Sequence, residues 1–350
     1  MSACEPPGSG SLADLLRERG IVDEAERQAL LARRPGPWWL MLLQALAAWF
    51  ASLLIVSALV LPAAGLGTAG AGVVGVVLCI AAIASFRRGG LFTDQMGLAL
   101  SLTGQGLLMW TAAEWFEPDA WRQMAGVGVL VSGAMSLPRA SRLHRVVCGL
   151  LLSVALGVLI GSGFAGEAFG IVLMAVAVLA CITRERWAAQ PWGGVAGALM
   201  LAFGLAALVL PPMLMRARTA FLFEGVDHRS PMIWLAAGAA LVLIVLLAHL
   251  LRTAPPASRL AACGVALLWA LVFHAAPGLI VAVGVFIAAF QASQRTLAGF
   301  ALLAAVLYVG EFYYLLDVSL LHKSGLLVLG GAVLLALRAW VLRIGAGVRT

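Results

Sequence analysis

The sequence predicts an all-α fold: a polytopic transmembrane helical bundle of ten to twelve spans, with a short cytoplasmic helical pair at its N-terminus. Of its 350 residues, 63% are hydrophobic and only 11% are charged, and the mean hydropathy is +1.02. A soluble domain is about 45–50% apolar and about 25% charged. The apolar runs mostly continue for about 15 to 23 residues, whereas a transmembrane β-barrel alternates in segments of about ten. A bundle of membrane-spanning helices is therefore the predicted class.

The N-terminal segment predicts two short amphipathic helices, over residues 12–19 and 24–34. Gly20 separates them, and Asp23 with Glu26 has the form of a capping box at the start of the second helix. The pair could pack on each other, on the membrane surface or under the bundle.

The predicted domain boundary lies at the run PGP. Residues 1–37 form a cytoplasmic unit, a flexible tail followed by the helix pair, and residues 38–350 form the transmembrane helical domain. The ninth and tenth of the candidate spans are separated only by Pro277 and could instead form one re-entrant hairpin. The twelve candidates are 38–60, 66–86, 91–113, 123–137, 146–165, 168–183, 191–211, 232–251, 260–276, 278–290, 297–316 and 324–342.

The basic residues predict the orientation of the bundle. Of the 23 lysines and arginines, 18 fall in segments that share one side with both termini. Cytoplasmic loops carry the excess of Lys and Arg, so both termini are predicted to be cytoplasmic. The net charge of +7 is thus explained by topology, with the lipid bilayer as partner and no nucleic acid. The five on the opposite side are Arg122, Arg216, Arg218, Arg229 and Lys323.

A polar cluster lies in the predicted hairpin between the last two spans. His322 and Lys323 lead into the final span, so a tight hairpin could place Lys323 against the acids of the preceding helix. The cluster is either a clasp that fixes the hairpin or an ion or proton site, because acids inside a membrane mark ion pathways. The residues that precede the turn, spaced three apart on one side of the helix, are Tyr308, Glu311, Tyr314 and Asp317.

Two further polar residues lie inside predicted spans. Gln105, in the run SLTGQG, can bridge helices through its amide, or it can line a polar path. His274 lies beside Pro277, where it is either a hydrogen-bonded core histidine or part of the same path. A cavity joining Glu311, Gln105 and His274 would favour transport.

Sequence signatures of catalysis are missing. The chain has no H-E-x-x-H, G-x-S-x-G or P-loop motif, and its five cysteines lack the spacing of a metal site. These observations favour a non-enzymatic protein with no catalytic residue, metal or cofactor.

Two stretches resemble an uncharacterised family of bacterial integral membrane proteins, the domain-of-unknown-function family 4401. EFYYLLDVSLLHKSGLLVLGGAVLLALRAW resembles its C-terminal signature, and LSLTGQGLLMW is similar to another stretch of that family. The helix pair, with LRERGIVDEAERQ, is similar to the start of a related group of predicted membrane proteins. The resemblance implies a bacterial inner-membrane location, and it supplies no catalytic residue and no cofactor.

Two functional hypotheses follow from these patterns. In the first, the protein is a transporter or permease, with Glu311 as its coupling group. In the second, it is a membrane scaffold or interaction protein whose N-terminal cytoplasmic helices bind a partner.

Overall fold

The computed structural model contains thirteen helices in the part of the chain that it describes. That part comprises residues 12–32, 65–88, 90–115, 120–137, 140–161, 163–220, 232–274 and 276–315, with scattered positions between 43 and 62 and between 324 and 335. Within residues 211–220 and 311–315 it describes the helix but not the side chains. The helices are α1 (Leu12–Glu18), α2 (Glu24–Ala32), α3 (Gly67–Arg88), α4 (Leu91–Trp115), α5 (Ala120–Ser136), α6 (Arg142–Ile160), α7 (Phe164–Ile182), α8 (Arg184–Trp187), α9 (Gly193–Ala220), α10 (Ile233–Leu250), α11 (Pro256–Val272), α12 (Pro277–Gln291) and α13 (Arg295–Leu315).

The helical pair α1–α2 is held together by its own charges. Gly20, at φ +66°, turns the chain between the helices, and the Asp23–Glu26 capping box forms, with Glu26 N donating to Asp23 Oδ1 at 2.6 Å. Arg27 Nε lies 2.7 Å from Asp14 Oδ1, and its Nη1 lies 2.8 Å from a Glu24 carboxylate oxygen. The two helices pack on each other, which is one of the three placements that the sequence left open.

Among the described residues, five helices are long and apolar enough to cross a membrane: α3, α6, α7, α9 over Gly193–Leu210, and α10. Shorter apolar helices occupy α11, α12 and most of α13. The described residues contain helices and no strand. The all-α helical bundle predicted from the composition is therefore confirmed.

The helices pack as two groups. Helices α3 to α6 form the first, with the closest pairing between α3 and α4, and helices α7 to α13 form the second. Helix α9 joins them by packing against both α6 and α7. The centre of the second group is α12, whose buried residues include Leu279, Ile280, Val281 and Val285. A 15-residue helix surrounded by α7, α9, α10 and α13 belongs to the interior of the bundle.

The two helices divided by Pro277 are separate elements. Each begins with a proline. The N–H group that proline lacks has no acceptor within the helix at that position, so its loss costs nothing there. Helix α11 packs mainly on α10, whereas α12 packs on α7, α10 and α13. Two helices of a re-entrant hairpin would pack chiefly on each other, so this arrangement favours two distinct helices.

Ten helices, α3 to α7 and α9 to α13, match the ten candidate spans between residues 66 and 316, although some ends differ. Helix α6 covers Arg142–Ile160 where the sequence suggested 146–165, because Ser141 caps it early and Gly161, at φ +76°, ends it. Helix α9 continues past Pro211 to Ala220. An apolar helix tolerates the loss of a backbone donor at a proline when neighbours satisfy the freed groups. The first and last candidate spans lie largely outside the described residues.

Candidate functional site

Gln105 lies at the centre of a buried polar network between α4, α5 and α6. Its side chain is 1% exposed, and its amide bonds to three partners. Nε2 donates to Ser101 Oγ at 2.9 Å and contacts Cys148 Sγ at 3.6 Å, while Ser132 Oγ donates to Oε1 at 2.8 Å. The amide thus connects three helices.

His144 completes this network from the first turn of α6. Its Nε2 lies 2.9 Å from Ser101 Oγ and 3.4 Å from Cys148 Sγ, and its ring centroid lies 4.5 Å from that of Phe86. Residues four apart share one helix face, so His144 and Cys148 point together toward Gln105. We call Ser101, Gln105, Ser132, His144 and Cys148 the polar network; its hydroxyls and its imidazole are each 0% exposed.

Close packing of α3 on α4 closes one side of the polar network. A Cβ added at Gly104 would lie 2.7 Å from Gly75 O and 2.7 Å from Cys79 Sγ. The absence of side chains lets the two backbones approach, which is the usual function of small residues between membrane helices. Phe86 and Cys79, from α3, then cover the network with apolar atoms.

The chemistry available in the polar network is hydrogen bonding and proton exchange. A hydroxyl and a neutral imidazole both donate and accept, so the bond between Ser101 and His144 can run in either direction, whereas Gln105 Nε2 only donates to Ser101. Such groups are costly inside hydrocarbon and mark functional positions in membrane proteins. Among the described residues, no group of three or more His, Cys, Asp or Glu side chains could hold a metal ion.

Tyr308 is the described member of the predicted hairpin cluster. It is buried on α13, where its hydroxyl donates to Leu208 O of α9, and its ring fills the space beside Gly278. This contact fixes α13 against α9 and α12. The other members lie outside the described side chains: Glu311 and Tyr314 in the last turn of α13, and Asp317, His322 and Lys323 beyond it.

The structure does not bring the three predicted polar residues whose side chains it describes into one site. Gln105 bonds within α4–α6, Tyr308 bonds to α9, and His274 is exposed, with Nδ1 2.9 Å from Leu271 O of its own helix. A core position for His274 is therefore wrong, because α11 ends at Val272 and leaves the imidazole at the end of the helix.

Sequence reasoning missed a buried histidine and a buried glutamate. His144 was placed in a loop because the predicted span began four residues late; the signals were Ser141 as an N-cap and the four-residue spacing to Cys148. Glu167 was placed between spans, yet it is buried and accepts from Leu235 N at 2.9 Å, at the first turn of α10. A carboxylate at a helix N-terminus is stabilised there by unpaired N–H groups.

Comparison with known proteins decides the family. Residues 37–344 match the family model described as "Domain of unknown function (DUF4401)". The chain belongs to this family. The family resemblance drawn from the two stretches within the membrane part is therefore confirmed, and the match covers residues 38–344 of the predicted transmembrane domain. None of the curated proteins compared with the chain matches it. Together, the family match and the apolar helices indicate a membrane protein that carries a domain of unknown function.

Proposed function

We propose that this member of the DUF4401 family is a multi-pass protein of the bacterial inner membrane, with both termini cytoplasmic, that acts as a permease for a small polar solute or ion. The 18-to-5 division of basic residues supports the orientation. Residues 1–37 form the cytoplasmic unit and 38–350 the transmembrane domain in this proposal.

The polar network carries the permease proposal. Its five side chains come from three helices and meet in one hydrogen-bonded group. A group that served only to hold helices together would need hydroxyls and amides, whereas this one also includes a titratable imidazole, His144. A protonatable residue inside a membrane bundle marks a proton or substrate pathway by default.

Glu311 is the second protonatable group of the proposal. It lies one turn after Tyr308, whose bond to Leu208 O holds α13 against α9. With Asp317 and Lys323, it would form the outer end of the pathway, and its protonation would couple solute movement to the proton gradient.

A flux comparison tests the proposal. A strain lacking the gene is complemented with wild type, His144→Gln, Glu311→Gln or Ser153→Ala, and metabolites and ions are compared across the membrane at several external pH values. Ser153 is a buried control on α6, whose hydroxyl bonds to Gly149 O of its own helix. We expect the first two variants to lose a pH-dependent flux that wild type and Ser153→Ala restore. A flux indifferent to both substitutions would exclude proton coupling through these residues.

The helical pair supports a second candidate function, a scaffold that binds a partner through α1 and α2. Arg27 lies between Asp14 and Glu24, so the pair presents a charged, pre-formed surface. Deletion of residues 1–34 should then abolish a co-purifying partner while the membrane domain still accumulates. An interaction profile identical to wild type would remove this candidate.

A further inference from the structure

A cavity of about 350 Å³ lies where α7, α10 and α12 end together. The three helices pack on one another in pairs and run out at the same end of the bundle. Its volume falls within the range of roughly 300–1,000 Å³ that is typical of small-molecule sites. The polar side chains that line it come from the ends of these helices and from the residues that follow them: Arg184, Glu185, His249, Arg252, Gln291 and Ser293.

The cavity is cationic. Arg184 and Arg252 supply two permanent positive charges, and in the described part of the structure Glu185 forms no ion pair with either. Guanidinium groups match the oxygens of phosphate and carboxylate geometrically, and the His249 imidazole adds a further possible donor.

Arg184 also fixes the cavity wall. Its Nη1 donates to Ala292 O, and its Nε lies 2.8 Å from the Gln294 amide oxygen when that amide is turned to suit the donor. These bonds connect the end of α7 to the turn after α12, where Ser293 has φ 55°. Arg252, at the end of α10, is exposed and has its carbonyl held by Arg259 Nη2 at 2.7 Å. The cavity is therefore a built feature, with Arg252 exposed on its wall.

The surrounding residues place the cavity at the depth of lipid headgroups. Trp187 and Trp192, in the connection that follows α7, stack with ring centroids 6.5 Å apart, and Trp192 is exposed. Tryptophans concentrate at the membrane–water interface. Apolar residues of the helices that lead to the cavity are exposed just below it, including Leu179 and Val245.

We propose that this cavity binds a phosphate-bearing anion, and that the phosphate comes from the headgroup of an anionic phospholipid. Basic pockets between membrane helices on the cytoplasmic side suit such headgroups, because that leaflet is negatively charged. The site shares no residue with the polar network, and it rests on the proposed orientation, which places this end of the bundle on the cytoplasmic side.

Native mass spectrometry of the full-length protein in detergent tests the site. The protein is mixed with phosphatidylglycerol, with zwitterionic phosphatidylethanolamine, or with inorganic phosphate. We expect retention of phosphatidylglycerol over phosphatidylethanolamine, and Arg252→Gln should weaken it about tenfold, as expected for loss of a charged hydrogen bond. Arg186→Gln is the matched control: it removes an exposed arginine at the same end of the bundle that does not line the cavity.

The outcomes separate the possible sources of the phosphate. Competition by inorganic phosphate would show that the site recognises the phosphate group itself, and retention without competition would show that the lipid is required; both support the site. Equal losses in Arg252→Gln and Arg186→Gln would overturn it, because diffuse surface charge would then explain binding. Wild type that prefers neither phosphatidylglycerol nor phosphate would also overturn it. If Arg252→Gln fails to fold, His249→Gln applies the same test with no change in permanent charge.

Discussion

At the residue scale, the polar network shows how a membrane protein satisfies groups that hydrocarbon cannot. Gln105 has three partners, and Ser101 bonds both its amide and the imidazole of His144. The sequence offered two roles for Gln105, a bridge between helices or the lining of a polar path, and the bonds that it makes to α5 and α6 are those of a bridge. It could not indicate the partners, because serines and cysteines are common in apolar helices and only the fold selects which of them meet.

Removing one hydroxyl from the polar network should destabilise the bundle. Ser132→Ala deprives Gln105 Oε1 of its donor on α5 and should cost about 1 kcal/mol of unfolding free energy, since hydrogen bonds between membrane helices contribute about 0.6–1.7 kcal/mol. Thermal unfolding in detergent, followed by circular dichroism, measures the change.

The control for this variant is Ser153→Ala. Ser153 is equally buried, but its hydroxyl donates to Gly149 O within α6, so its loss breaks no contact between helices. A Ser153→Ala loss as large as that of Ser132→Ala would mean that the interhelical bond has no special weight.

At the element scale, the sequence predicted which segments are helices better than where they end. Ten candidate spans became helices in the same order because long apolar runs leave little alternative. The ends of α6 differ from the predicted ones because Ser141 caps the helix at its start and Gly161, with a positive φ, ends it. A hydropathy pattern contains no information about either feature. That shift of four residues left His144 outside the predicted span.

Packing of α3 on α4 depends on glycine at specific positions. Gly104→Ala should push the helices apart, because its Cβ would lie 2.7 Å from the backbone oxygen of Gly75. Overpacking of this kind costs about 1–3 kcal/mol. Gly106→Ala is the control on the same helix, since its Cβ would meet nothing within 4 Å, and it should be neutral or slightly stabilising. Unfolding of both variants in detergent compares them, and equal stability would contradict the close-contact interpretation.

The contact between α12 and α13 also depends on a glycine, Gly278. A Cβ at Gly278 would lie 2.4 Å from the Tyr308 ring, so Gly278→Ala should displace the tyrosine and weaken its bond to Leu208 O. We expect a loss of about 1–3 kcal/mol in the same unfolding assay. Gly299→Ala, on α13 with nothing within 4 Å, should retain wild-type stability. If Gly278→Ala were as stable as Gly299→Ala, Tyr308 would not be a packing anchor.

At the scale of the whole molecule, the two helix groups carry different features. The first group, α3 to α6, encloses the polar network, whereas the second surrounds the apolar α12 and opens into the cationic cavity at one end. Composition and the length of the apolar runs together predicted the bundle, because such long runs suit membrane-spanning helices and not the short alternating segments of a barrel. The division into groups was not predictable, since it depends on which helix faces carry small residues and therefore pack closely.

The proposed orientation places the two ends of this bundle on opposite sides of the membrane. Glu114, at the end of α4, should be periplasmic and Glu185, after α7, cytoplasmic, because α5, α6 and α7 cross between them and the arginines concentrate on the side of Glu185.

Both side chains are exposed, whereas Cys79, Cys148 and Cys181 are buried and should react little. Glu114→Cys and Glu185→Cys are compared in a background where Cys4 and Cys263 are serine. A membrane-impermeant maleimide should label the first in intact spheroplasts and the second only after permeabilisation. The reverse pattern would invert the topology and place the cationic cavity in the outer leaflet, and labelling of both from one side would mean that α5 to α7 do not cross the membrane three times.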